Sequence, residues 1–205
     1  MRSWPRELQA VLFDLDGVLA NSFEAWVGVL DECRERRGLA PLGVAGVTPY
    51  WGQGIEADCE TLFPGATPES LVAEYDEAFP KYVDRIQPID GGAALVQTLE
   101  RRGIPIWVVT NCPRALARAI LEAIGLSQLV DRVTGGDDVA RGKPDPEIIQ
   151  RGLANTGATA DGAILVGDTT NDVAAGARAE VFVVGLGVDA DWRVEHLAQL
   201  EERLR

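Results

Sequence analysis

Two carboxylates stand two residues apart where an apolar run ends, in Ala10-Val11-Leu12-Phe13-Asp14-Leu15-Asp16-Gly17-Val18. A short run rich in Val, Leu and Phe reads as a strand buried on both faces, and ligands in open α/β sheets gather beyond the carboxyl ends of such strands. Asp14 and Asp16 fall at that end. Like charges so close repel, so the pair is tolerable when one acid keeps its proton or a cation sits between them. Either arrangement is chemistry rather than packing. Taken alone, the same residues also satisfy an acidic turn after a core strand.

Three further stretches put polar groups at a strand end or a helix start. Val109-Thr110-Asn111 closes a second apolar run just before a helical pattern, so a hydroxyl, an amide and the free N–H groups of a helix start can face an anion together; in isolation it is equally a helix cap. Arg141-Gly142-Lys143-Pro144 holds a lysine between a glycine and a proline, in a chain whose only other lysine is Lys81. A compact ammonium in a constrained loop can neutralise carboxylates or a transferring phosphoryl group, although a solvated loop lysine reads the same way. Ile164-Leu165-Val166-Gly167-Asp168-Thr169-Thr170-Asn171-Asp172 repeats the opening pattern. It sets Asp168 beside Asp14 and Asp16, and Asp172 in the first turn of the next helix, near enough to orient a metal-bound water or Lys143. A few hard carboxylate oxygens with room for water and phosphate suit Mg²⁺ better than a caged Ca²⁺, and a cation relieves the repulsion.

Five apolar runs must position these groups: Val11 to Leu15, Ile106 to Val109, Arg132 to Thr134, Ile164 to Val166 and Val181 to Val184. Helical patterns separate the later ones. Leu116, Ala119, Ile120, Ala123 and Ile124 follow helical spacing between Pro113 and Gly125; Leu95, Val96 and Leu99, then Pro146 to Ala154, then Asn171 to Ala179 supply others. Alternation of this kind predicts an α/β fold, a Rossmann-like, mostly parallel sheet with helices on both faces. From Asn21 to about Pro88 the alternation stops. Phe23, Trp26, Val27, Leu30 and Cys33 form one helical stripe and Leu71 to Val83 another, which Pro80 should kink or split. The expected organisation is a core of residues 1–20 and 88–205 with an inserted helical cap, 21–87, hanging over the carboxyl end of the first strand.

Composition narrows the partners. The 205 residues carry a net charge of −13, which argues against nucleic acid or an anionic membrane surface and for a monomer or small homo-oligomer. Three cysteines without metal-ligand spacing read as reduced thiols. The N-terminal residues lack the apolar core of a signal peptide, and no apolar stretch reaches membrane-spanning length, so a cytoplasmic protein is expected. An anionic substrate then needs local positive charge from a metal, a lysine or backbone N–H groups. Cys112 is expected to be an inert small residue, His196 to have no role, and Arg34, Arg36 and Arg37 to form a solvated helix end.

In order and spacing, Asp14-Leu15-Asp16-Gly17, Thr110-Asn111, Lys143-Pro144 and Gly167-Asp168-x-x-x-Asp172 resemble the four motifs of the haloacid dehalogenase superfamily, and the insertion resembles the helical cap of its phosphoglycolate phosphatase and beta-phosphoglucomutase-like branch. The resemblance covers nearly the whole chain. It implies a Mg²⁺-dependent phosphatase acting on a small phosphorylated metabolite. Asp14 would be the nucleophile, forming an aspartyl phosphate, and Asp16 the general acid and base. The metal would be held by Asp14, Asp168 and the backbone carbonyl of Asp16, with Asp172 behind it, and the phosphoryl oxygens by Thr110, Asn111 and Lys143.

The alternatives are a phosphosugar mutase of the same branch and a non-catalytic phosphate-binding or regulatory module. Dehalogenases resemble the first motif but lack the acid at Asp16; phosphonatases use a cap lysine, for which Lys81 is the only candidate. Trp51, Gly52 and Gln53 lie where the branch places its specificity loop, though an aromatic between helices is commonly core. No Lys, Arg or His occurs between Gly38 and Pro80, so the cap is poorly equipped to clamp a second anionic group. Mutases of this branch carry a histidine where Trp26 stands. An acidic, aromatic cap suits a neutral or cationic leaving group.

Overall fold

A computed structural model describes residues 2–205. β1 (Ala10–Phe13), buried at every position, leads through a two-residue strand β2 (Ala20–Asn21) into four helices, α1 (Phe23–Arg36), α2 (Gly43–Val47), α3 (Ile55–Thr61) and α4 (Pro68–Ala78). The chain returns along β3 (Gln87–Pro88), which pairs antiparallel with β2. Strand and helix then alternate through α5 (Gly92–Arg101), β4 (Ile106–Val109), α6 (Arg114–Ala123), β5 (Val133–Thr134), α7 (Glu147–Thr156), β6 (Ala163–Gly167), α8 (Thr170–Arg178), β7 (Phe182–Leu186), β8 (Trp192–Val194) and α9 (Leu197–Leu204).

The six longer-range strands form one parallel sheet in the order β5-β4-β1-β6-β7-β8. Alternate side chains of β1 feed two cores, as the two-residue period of a strand requires. Val11 and Phe13 pack with α5, α6 and α9, and Leu12 packs with Ile148, Ile149 and Ala175 of α7 and α8. The parallel α/β fold with helices on both faces and a helical insert is therefore as expected. Phe13 pairs level with Val108 of β4 and Val166 of β6. Three adjacent strands thus end together, and the residues just past their ends converge.

The differences in detail have local causes. β1 ends at Phe13, so Asp14 and Leu15 already belong to the turn, and Arg132 stays outside β5. α4 stops at Ala78 and the chain tightens into a 3₁₀ turn, Phe79–Lys81, because Pro80 cannot supply a helical N–H. His196 sits just ahead of α9. No helix among the described residues is long and apolar enough to cross a membrane.

Candidate active site

The turn after β1 is built around its own carboxylate. Asp14 Oδ1 accepts the Leu15 N–H at 2.7 Å and lies 2.8 Å from Lys143 Nζ, whereas Asp14 Oδ2 carries no hydrogen bond among the described residues. Gly17 has φ of +85°, a left-handed conformation that favours glycine, and a Cβ there would stand 2.0 Å from Asp168 Oδ2. The glycine lets the β6 carboxylate approach. Asp14, Asp168 and Asp172 each offer an oxygen within 4.8 Å of the others.

Lys143 is the counterweight. Its ammonium is buried and contacts Asp14 Oδ1, Asp172 Oδ1 (2.7 Å) and the Val109 carbonyl (3.1 Å). Burial alone pulls its pKa down; the charges of Asp14 and Asp172 more than offset this and push it up. Asp172, fully buried, accepts from the Thr169 N–H and hydroxyl through Oδ2 while its other oxygen holds Lys143. It therefore both caps α8 and fixes the lysine.

One ammonium does not balance three carboxylates. Burial, then the charge of Asp172, pushes the Asp168 carboxyl up to about 7, and Asp168 Oδ1 is buried without a hydrogen-bond partner among the described residues. A buried acceptor left unpaired is costly. The donor set is all hard oxygen, so these residues fit a divalent cation such as Mg²⁺.

Asp16 faces the other way. Its Oδ1 accepts from the Ser22 hydroxyl and from Trp26 Nε1 at 3.0 Å, and Thr110 Oγ1 lies 3.5 Å from its Oδ2. Its side chain is outside the three-carboxylate cluster. Burial pushes its carboxyl up, and the donors Ser22 and Trp26 pull it partly back.

Thr110 and Asn111 follow β4, as the sequence implies, but Asn111 spends its side chain on structure. Its Nδ2 donates to the carbonyls of Gly52 (2.9 Å) and Lys143 (2.8 Å), and its Oδ1 accepts the Lys143 N–H (2.7 Å). What it can still offer an anion is its backbone N–H, which, like that of Asp16, has no acceptor among the described residues. Those two N–H groups are invisible to residue-type reasoning. Gly52 accepts a second bond from Asn171 Nδ2 at 3.1 Å, so the Trp51–Gly52–Gln53 loop is seated on the sheet end.

These groups border one cavity of about 70 Å³, with Asp14, Asp16, Thr110, Asn111 and Lys143 at the sheet end and Trp26, Trp51, Gln53, Asp58 and Tyr75 among the residues opposite. Trp51 is both wall and packing, meeting Phe23 edge-on at 4.9 Å between centroids. Lys81 is outside the cavity, paired with Glu32. Cys112 is buried; burial first, then the charge of Asp16, pushes its thiol up, which keeps it protonated and unreactive.

Compared with known families, residues 11–186 match the model of the haloacid dehalogenase-like hydrolases. The chain belongs to that family. Among its relatives, the phosphoglycolate phosphatase of Rhodospirillum rubrum is 35% identical over 188 residues, 86% of this chain and 78% of the relative. The validoxylamine A 7'-phosphate phosphatase of Streptomyces hygroscopicus subsp. limoneus is 32% identical, covering 96% of this chain and 93% of its own. In structure, a hydrolase from Pseudomonas syringae superposes with a TM-score of 0.80 at 24% identity over 95% of this chain and 98% of the other. CbbY from Rhodobacter sphaeroides in complex with phosphate gives 0.81 at 21% over 94% and 96%. This member of the haloacid dehalogenase-like family is thus an enzyme, a phosphatase on the phosphoglycolate phosphatase-like branch.

Proposed function

We propose that this chain hydrolyses the phosphomonoester of a small metabolite, with Mg²⁺, through an aspartyl phosphate on Asp14. One juxtaposition carries the reading: an Asp14 Oδ2 without a hydrogen bond among the described residues and a hydrogen-bonded Asp16 open on the same cavity as the buried Lys143 ammonium, with an unpaired Asp168 oxygen beside Asp14. Asp14 Oδ2 attacks phosphorus, and the bond to the leaving-group oxygen breaks. Asp16 gives its proton to that oxygen, then takes one from the water that splits the phosphoaspartate and restores Asp14. Lys143, the Thr110 hydroxyl and the N–H groups of Asp16 and Asn111 hold the equatorial phosphoryl oxygens, where the transition state carries its charge.

The side chains of Asp14 and Asp168 and the carbonyl of Asp16 would hold Mg²⁺, with Asp172 behind them orienting Lys143. When bound, the ion supplies positive charge to the phosphoryl oxygens. Residues 21–87 serve as the cap on a core of 1–20 and 88–205, and Trp51, Gly52 and Gln53 as its loop over the substrate. A mutase needs a clamp for a second phosphate, and no basic residue lines the cap side of the cavity.

The test is phosphate release from p-nitrophenyl phosphate. It is expected to require Mg²⁺ and to vanish in Asp14→Asn; full activity in that variant would remove Asp14 as nucleophile.

A further inference from the structure

The cap end of the cavity carries a charge that the proposed chemistry does not use. Asp58, on α3, is the one charged residue lining the cavity besides Asp14, Asp16 and Lys143. Gln53 Nε2 donates to its Oδ1 at 2.6 Å and the Tyr75 hydroxyl to its Oδ2 at 2.8 Å. Both donors are neutral. No cation pairs with Asp58 among the described residues, and the basic side chains flanking the cap are held elsewhere: Arg34 by the Leu62 and Ala40 carbonyls, Arg36 by Glu32 and Glu77, Arg37 by Glu74 and Lys81 by Glu32.

A desolvated carboxylate without a counter-charge is costly, and burial here pushes the Asp58 carboxyl up to about 6. Each of its oxygens retains a lone pair for one more donor. Aromatic and aliphatic side chains line much of the rest of the cavity. Trp26, whose indole N–H holds Asp16, meets Tyr75, whose hydroxyl holds Asp58, edge-on at 5.5 Å between centroids, and Tyr50 and Trp51 also line the space. Aromatic faces attract a cation, and a carboxylate completes its recognition. The same surroundings repel an anionic leaving group. At about 70 Å³, the cavity holds only a handful of water-sized groups.

The geometry points to Asp58 as the residue that selects the leaving group, and to the phosphate ester of a short amino alcohol, bound through its ammonium, as the substrate class. This rests on the phosphatase reading above. If Asp58 only braced Gln53 and Tyr75, its replacement would affect all substrates alike.

The experiment is a matched series of phosphate esters of two to four carbons ending in an ammonium, a hydroxyl or a carboxylate, phosphoglycolate being the shortest of the last. With Mg²⁺, the wild type is expected to prefer the ammonium ester over its hydroxyl partner by roughly 10- to 100-fold in kcat/KM, the range of a charge-assisted hydrogen bond, mainly through KM, and to use the carboxylate least. Asp58→Asn keeps the shape and is expected to collapse the ammonium preference to within about two-fold and to improve the carboxylate ester. A wild type that prefers the carboxylate or hydroxyl ester, or a ranking untouched by Asp58→Asn, overturns the inference. Failure on p-nitrophenyl phosphate would instead remove the phosphatase reading. Calorimetric titration of the ammonium and hydroxyl esters into Asp14→Asn reads the same preference without turnover, and equal affinities there also overturn it.

Discussion

Replacing Lys143 with methionine keeps most of the side-chain volume and deletes the ammonium between Asp14 and Asp172. At 2.8 and 2.7 Å, each contact carries roughly 6 kcal/mol of Coulomb attraction at an effective dielectric of about 20. Much of that offsets the cost of burying the charges. Without the cation the cost stands alone, and breaking such buried pairs costs about 3–5 kcal/mol. Lys143→Met is therefore expected to lose about that much stability in urea at about pH 8, along with activity. The deficit has a direction in pH. With no ammonium beside them the Asp14 and Asp168 carboxyls bind protons more tightly in the folded variant than in the wild type, so the gap narrows as pH falls towards about 5. Added Mg²⁺ should narrow it at pH 8, because a ligand of the native state stabilises that state. Urea melts at both pH values, with and without Mg²⁺, read all three effects. A deficit below about 1 kcal/mol, or one equal at both pH values, would refute the view that Lys143 compensates the buried acids.

Three other outcomes are expected. Gly17→Ala, whose Cβ would stand 2.0 Å from Asp168 Oδ2 at a φ of +85°, should displace Asp168 and weaken Mg²⁺ activation at least about ten-fold in titrations of activity against the ion. Gly52→Ala, at φ of +80° and with a Cβ 2.9 Å from Thr169 Cγ2, should unseat the loop from Asn111 and Asn171 and lower kcat/KM about ten-fold for small esters. Asp58 has a folded pKa raised from 3.8 to about 6, so the folded state holds its proton more tightly and wild-type stability falls as pH rises from about 4 through about 6. Asp58→Asn should then gain about 2–3 kcal/mol on wild type as pH rises from about 4 to about 8, with its advantage absent near pH 4, in thermal melts.

The sheet end was legible because its chemistry demands particular residue types at strand ends. Asp14, Thr110 and Asp168 follow β1, β4 and β6, three adjacent strands whose buried apolar runs announce themselves. β8 did not, since three residues with an exposed Arg193 carry no usable period. Nor did β2 and β3, which are two residues each, or α2, whose five residues include two glycines. At the site, what the sequence hides is direction. An amide at Asn111 suggests a donor to an anion, but long-range contacts to Gly52 and Lys143 consume it. Trp26 looks like a core aromatic of α1, and only the turn through β2 brings its N–H to Asp16. Asp58 is one acid among several in the cap until the packing of α3 on α4 joins it to Tyr75.

A covalent phosphoryl group on Asp14 is the most direct observable of the proposed chemistry. In Asp16→Asn, p-nitrophenolate can still leave without a proton, whereas water attack has lost its base, so the intermediate should accumulate. Acid-quenched Asp16→Asn, incubated with p-nitrophenyl phosphate and Mg²⁺ and digested for mass spectrometry, is expected to carry one phosphoryl group on the peptide containing Asp14. A burst of p-nitrophenolate with no phosphoryl group on that peptide would contradict nucleophilic attack by Asp14.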